Sequence, residues 1–248
     1  MKITLPTTWQ QLTQQQLRKA FQLYVVYSDV PHWRHHVKVA MFLSLTGATI
    51  VRRADEGFLC RFPGQRLPVL LRDGVLPSVL APLSFLDEPD HISVRLDEAS
   101  GHKAVDFELR KLPFGQYLVA ENLYQAFIAN RAPEVLQSLA AVLYPSAVDA
   151  HASFAPEETF GVFLWFGAVK NILAEWFPHY FRPAEPSDSP QPITRETLRE
   201  TTLAQIRLLT GGDVTKQPAV LEHTDTWTAL AELDAQALIA EKLKSKPH

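Results

Sequence analysis

Two histidine arrangements carry the most visible chemistry in this 248-residue sequence. In His32-Trp33-Arg34-His35-His36 the first and last imidazoles are four residues apart. On a helix that spacing places them on one face, as in paired zinc ligands. A zinc-protease motif with this spacing also needs a glutamate beside the first histidine; Trp33 stands there instead, and no third ligand is evident. The plainer reading is a polar helix start bearing several imidazoles. In Gly101-His102-Lys103-Ala104-Val105-Asp106 a histidine precedes an aspartate by four residues, and an aspartate can orient an imidazole as a general base. No serine or cysteine nucleophile lies close by in sequence, and a loop with Asp106 capping or solvated uses the same residues.

Three further features are weaker. Cys60 sits in a predicted strand between Leu59 and Arg61, where a cysteine is more often a small buried hydrophobe than a nucleophile. Arg52, Arg53, Arg61, Arg66 and Arg72 give the same region a basic side. With Phe58 and Phe62 they are the alternative of a nucleic-acid surface, built from phosphate contacts and base stacking. Asp55, Glu56 and Asp73 dilute that charge, and arginines outside with phenylalanines inside is the simpler arrangement. Gly211-Gly212 follows a predicted helix, the wrong side for a phosphate cradle. No Walker, dinucleotide-binding or nucleophile-elbow motif is present. No catalytic residue, metal ligand or cofactor is therefore assigned.

The elements that must position these residues are mostly helical. Thr159 to Phe181 is the most apolar stretch, and residues 160–169 are apolar almost all round. Such a helix is buried or in a membrane; an unbroken apolar run of roughly ten residues, ending at Lys170-Asn171, is too short for a span of about 20. It reads as the central core helix, favoured at its start by Glu157 and Glu158 and stopped by Pro178.

Before it, Thr13 and Gln16 have capping-box spacing and open a helix over 14–26 with Leu17, Phe21, Tyr24 and Val25 inward. A second helix is expected over 31–45, capped by Ser28 or Asp29, with Pro31 in its first turn and Gly47 at its end. The period then drops to two. Strands over 48–53, 58–62 and 67–71, separated by Gly-containing turns, form an antiparallel meander. A short helix over 76–85, a strand over 91–96, and helices over 114–129 and 133–143 complete the part before the central helix.

Residues 182–192 contain four prolines and two serines and read as an extended linker. Beyond it, helices are expected over 194–209 and 226–244, the last capped by Thr224 or Asp225. The fold class is thus α+β, mainly helical: a body over 1–181 around a buried central helix with an inserted meander at about 48–71, the linker, and a C-terminal helical segment over 193–248.

Composition excludes little. A net charge of −3 gives no global drive toward nucleic acid or anionic membranes. One cysteine allows no intramolecular disulfide and suits a reducing compartment. Met1-Lys2-Ile3-Thr4-Leu5-Pro6 has no apolar signal core, so cytoplasmic residence is expected.

Leu5-Pro6-Thr7-Thr8-Trp9 with its capped helix, Gly101 to Asp106, and Ile206-Arg207-Leu208-Leu209-Thr210-Gly211-Gly212-Asp213 before Trp227 resemble an uncharacterised phage or prophage family encoded near the tail tape-measure protein. The resemblance covers most of the chain. It implies a non-enzymatic tail assembly chaperone or tail-associated protein, whose partner is a tape-measure-like helical chain or a second copy. The stripe Trp227, Leu230, Leu233 and Ala237 is the expected contact face, by helix-in-groove recognition; the alternative is that it folds back onto the body.

Overall fold

The computed structural model describes residues 4–145, 153–182 and 194–244. The chain divides into two compact units, one formed by Met1–Leu96 and Pro156–Leu164, the other by Asp97–Ala155 and Trp165–His248. The architecture is mainly helical with small antiparallel sheets, as the patterning predicts. The proline-rich stretch lies outside the described residues apart from Arg182. It does not mark the division, because residues 194–244 belong to the same unit as 97–155.

In the first unit, helix α1 (Gln14–Tyr27) opens with the expected capping box. The Gln16 amide donates to Thr13 Oγ1 at 3.3 Å, and the Thr13 amide donates to Gln16 Oε1 at 2.9 Å. Its buried face is Leu17, Ala20, Phe21, Leu23 and Tyr24; Val25 lies outside it.

Helix α2 (Trp33–Thr46) starts later than its sequence suggests, because His32 is left-handed, at φ 58°. Gly47 ends it at φ 65°. A Cβ there would also lie 2.9 Å from Pro63 Cγ, so both conformation and space require glycine.

The chain then enters the meander β1 (Thr49–Ala54), β2 (Gly57–Arg61) and β3 (Val69–Arg72), antiparallel in that order. Helix α3 (Leu76–Leu80) follows and tightens into a 3₁₀ turn over Ala81–Asp87. The strand expected over 91–96 joins no ladder: His91 ends a 3₁₀ turn, Pro89–His91, and residues 92–96 belong to no strand. The alternation there reflects burial of Ile92 and Leu96 alone.

The core of this unit is aromatic. Trp9 packs edge-on against Phe85, with centroids 5.1 Å apart. Tyr24 donates its hydroxyl to the Leu86 carbonyl at 2.6 Å, and burial pushes its phenol pKa up. Helix α6 (Pro156–Trp176) contributes its first nine residues here. Gly161 meets the ring of Phe21, and the buried Glu158 carboxylate pairs with Arg18 of α1.

The second unit begins with a hairpin, β4 (Glu98–Ala99) and β5 (His102–Lys103). Ser100 and Gly101 turn it at positive φ. Helices α4 (Phe114–Asn130) and α5 (Pro133–Leu143) follow, and the remainder of α6 carries the buried Trp165, Phe166, Val169 and Leu173. Trp165 donates its indole N–H to the Phe107 carbonyl at 2.9 Å. Burial on nearly every side over residues 158–169 accounts for the lack of a polar face there; Asn171, Glu175 and Trp176 in the last turns are exposed.

After α7 (Arg195–Thr210), helix α8 (Gln217–His223) was not foreseen; at seven residues it is too short to show a helical period. Helix α9 (Thr226–Lys244) is capped by Asp225, whose Oδ1 accepts from the Thr228 amide at 3.0 Å.

The C-terminal helices are fastened into this unit by specific bonds. Thr226 donates through its amide and its hydroxyl to the Leu112 carbonyl, at 2.9 and 2.8 Å. Asp234 accepts from the amides of His179 and Tyr180 at 2.8 and 2.9 Å. A Cβ on Gly115 would lie 2.8 Å from the Leu221 carbonyl oxygen.

Candidate binding clefts

The residues singled out for chemistry are dispersed. His32 is exposed and outside the helical turns of α2, so it does not share a regular helical face with His36. His36 stacks on Tyr27, centroids 5.5 Å apart. No group of three His, Cys, Asp or Glu able to hold a metal occurs among the described residues.

Asp106 is engaged locally: one carboxylate oxygen accepts the amides of Glu108 and Arg110, each at 3.1 Å. His102 lies edge-on to Phe154 at 6.1 Å. The aspartate therefore organises the turn that brings Phe107 and Leu109 inward.

Cys60 is buried, and burial pushes its thiol pKa up, away from a reactive thiolate. The arginines of the meander are partly committed. Arg53 approaches Asp73 at 3.7 Å and lies over the Phe58 ring, and Arg72 approaches Glu56 at 3.3 Å. Phe62 is buried against Phe42, so it offers no stacking surface.

The expected contact face on α9 is split. Leu230 and Leu233 are buried, Leu230 completely, so these two are core of the second unit and present nothing to a partner. Ala237 is half-buried. Trp227 is half-buried too: it donates to the Glu108 carbonyl at 2.7 Å and carries Arg110 over its ring at 3.8 Å. A helix stripe at 3–4 spacing shows that one face is covered; it does not say by what.

What the structure does assemble is two apolar openings, one in each unit. In the first unit, α2 and the meander diverge from the corner at Gly47, where Phe42 meets Phe62. They enclose a cleft of about 430 Å³. Val39, Phe42, Leu43, Phe58, Cys60 and Leu71 line it, together with His35, His36, Arg53 and Asp73.

A β-bulge decides which arginine looks in. Ile50 pairs with Cys60, but Arg52 pairs with Leu59 and Arg53 with Phe58. The extra residue, Val51, puts Arg53 on the Ile50 face. Simple alternation would have put Arg52 there.

In the second unit, α4 and α7 are pinned by Asn122, whose Nδ2 donates to Thr202 Oγ1 at 3.1 Å. On one side of that bond lies a polar crevice with Glu121, Gln125, Thr201 and Gln205. On the other a groove of about 950 Å³ opens between Val119, Leu123 and Ala126 of α4 and Leu198 and Leu203 of α7. Arg195, Glu196 and Arg199 stand at its edge.

Val119 is 49% exposed and Leu203 39%. Sequence gave one hint of this: α4 is apolar on more faces than a single buried side needs.

No helix among the described residues is long and apolar enough to cross a membrane. No protein-family model matches the chain, and no curated protein or solved structure is found similar to it.

Proposed function

We propose that this is a non-enzymatic binding protein that holds an apolar helical segment of another protein in the groove between α4 and α7. The carrying observation is the groove itself. It is open and walled by aliphatic side chains of two helices, Val119, Leu123, Leu198 and Leu203 among them, with Arg195, Arg199 and Glu196 at its edge. An amphipathic helix laid into such a groove buries its i, i+3, i+4, i+7 residues. The charged edge then discriminates by sequence.

The resemblance carried by Leu5 to Trp9, Gly101 to Asp106 and Ile206 to Asp213 supplies the partner class: a tape-measure-like helical chain, with the protein acting as a phage or prophage tail assembly chaperone or tail-associated protein. The roles of Asp106, His102 and Cys60 as turn anchor, packed ring and buried thiol support a binding role over a catalytic one.

The test is titration of a fluorescent synthetic helical peptide with a leucine stripe at that spacing, against a peptide of the same composition with the stripe scrambled. Saturable binding of the striped peptide, weakened about ten-fold or more by Leu203→Glu, is expected. Equal binding of both peptides, no binding, or indifference to Leu203→Glu would remove the proposal.

A further inference from the structure

The cleft of the first unit has the polarity of an amphiphile. Helix α2 runs toward the corner at Gly47 and β1 runs back from it. The start of α2, with His35 and His36, and the end of β1, with Arg53, are therefore both remote from the corner. Toward the corner the lining is Phe42, Leu43, Ile50 and the buried Cys60.

The hydrogen-bond donors thus stand only at the end away from the corner, beside Phe58 and Leu71, and hydrocarbon continues from there to the corner. Asp73 is the one carboxylate on the lining. Its 3.7 Å approach to Arg53 is long, and both side chains are about half or more exposed, so a ligand can displace it at little cost. The volume, about 430 Å³, falls within the roughly 300–1,000 Å³ of small-ligand sites.

We infer that this cleft binds a single-chain fatty carboxylate. The acyl chain lies against Phe42, Leu43 and Ile50 with its end near Cys60. The carboxylate takes the Arg53 fork, in the paired geometry guanidinium groups favour, with imidazole N–H donors of His35 and His36 beside it. The bulge at Val51 builds this site, by turning Arg53 onto the apolar face. The inference is independent of the groove in the other unit.

Dodecanoate, held below its micellar concentration, is the probe. Calorimetry reads its binding to the full chain, and the slow alkylation of the buried Cys60, the single cysteine, followed at alkaline pH, reports how often the hydrocarbon end opens. One-site saturation is expected, with Cys60 alkylation slowed in proportion. Arg53→Gln weakens binding about five-fold and Asp73→Asn strengthens it by a similar factor, the scale of one exposed ion pair. Both residues are exposed, so neither variant threatens folding. Dodecanol binds more weakly and ignores Arg53→Gln, and dodecyltrimethylammonium binds weakest.

Absence of saturation, unprotected Cys60, or equal affinity for the three head groups would overturn the inference. Protection of Cys60 that rises with protein concentration alone would also overturn it, and would assign the cleft to a second copy.

Discussion

Replacing Gly161 by alanine tests whether the contact of α1 with α6 is as close as it looks. In a helix interior this change ordinarily stabilises by about 1 kcal/mol, because alanine has the higher helix propensity. Here the new Cβ would lie 2.5 Å from Cδ2 and Cε2 of Phe21, against a normal carbon–carbon separation of about 3.5–4.0 Å. The ring must retreat by about 1 Å, and it is fully buried.

Forced overpacking of this kind costs about 1–3 kcal/mol. Set against the propensity gain, the net expectation is a loss of about 1 kcal/mol. Urea unfolding midpoints at unchanged slope measure it. The cycle with Phe21→Leu isolates the cause: with the ring gone, Gly161→Ala recovers its propensity gain, a coupling of about 2 kcal/mol. If Gly161→Ala stabilises the wild-type background by about 1 kcal/mol, or if the two changes simply add, the close approach is wrong.

Leu230 is completely buried, so Leu230→Ala lowers the stability of the isolated chain by roughly 2–5 kcal/mol; an unchanged thermal midpoint would return it to a partner-facing role. Asp225→Ala removes the cap of α9 and costs about 1 kcal/mol at neutral pH. Burial works against the Asp225 carboxylate, but bonds from the Thr228 hydroxyl and nearby amides outweigh it and hold its pKa below the usual value. A group lowered in this way stabilises above its unfolded value, about 3.9, and loses that contribution as pH falls through the folded one. The gap between Asp225→Ala and wild type, followed by pH-dependent unfolding, therefore closes in acid; a constant gap would deny the charged cap.

The clefts were harder to read than the helices. The Thr13–Gln16 box and the apolar run of α6 are local, and their physics is complete within a few residues. The α9 stripe is not: Leu230 and Leu233 announce a covered face, while α9 is tied at its start, through Thr226 and Trp227, to Leu112 and Glu108, more than a hundred positions away. Alternation misplaced a strand over 91–96, since burial of Ile92 and Leu96 needs no ladder. A histidine pair at helical spacing misled in another way, because the left-handed backbone of His32 takes it out of the helix.

What the sequence determined by itself was the mainly helical class, the apolar core run of α6, the meander, and the caps at Thr13 and Thr194. Each follows from contacts within one or two turns, or from one uninterrupted apolar surface. For α9 the sequence left Thr224 and Asp225 both open, and the structure chose Asp225. Tertiary structure alone decided that α9 belongs with residues 97–155, that Val51 bulges so that Arg53 faces hydrocarbon, and that α2 and α4 leave apolar surface uncovered. Those outcomes depend on strand register and on which distant residue arrives to fill a face, and neither is encoded at the position it affects.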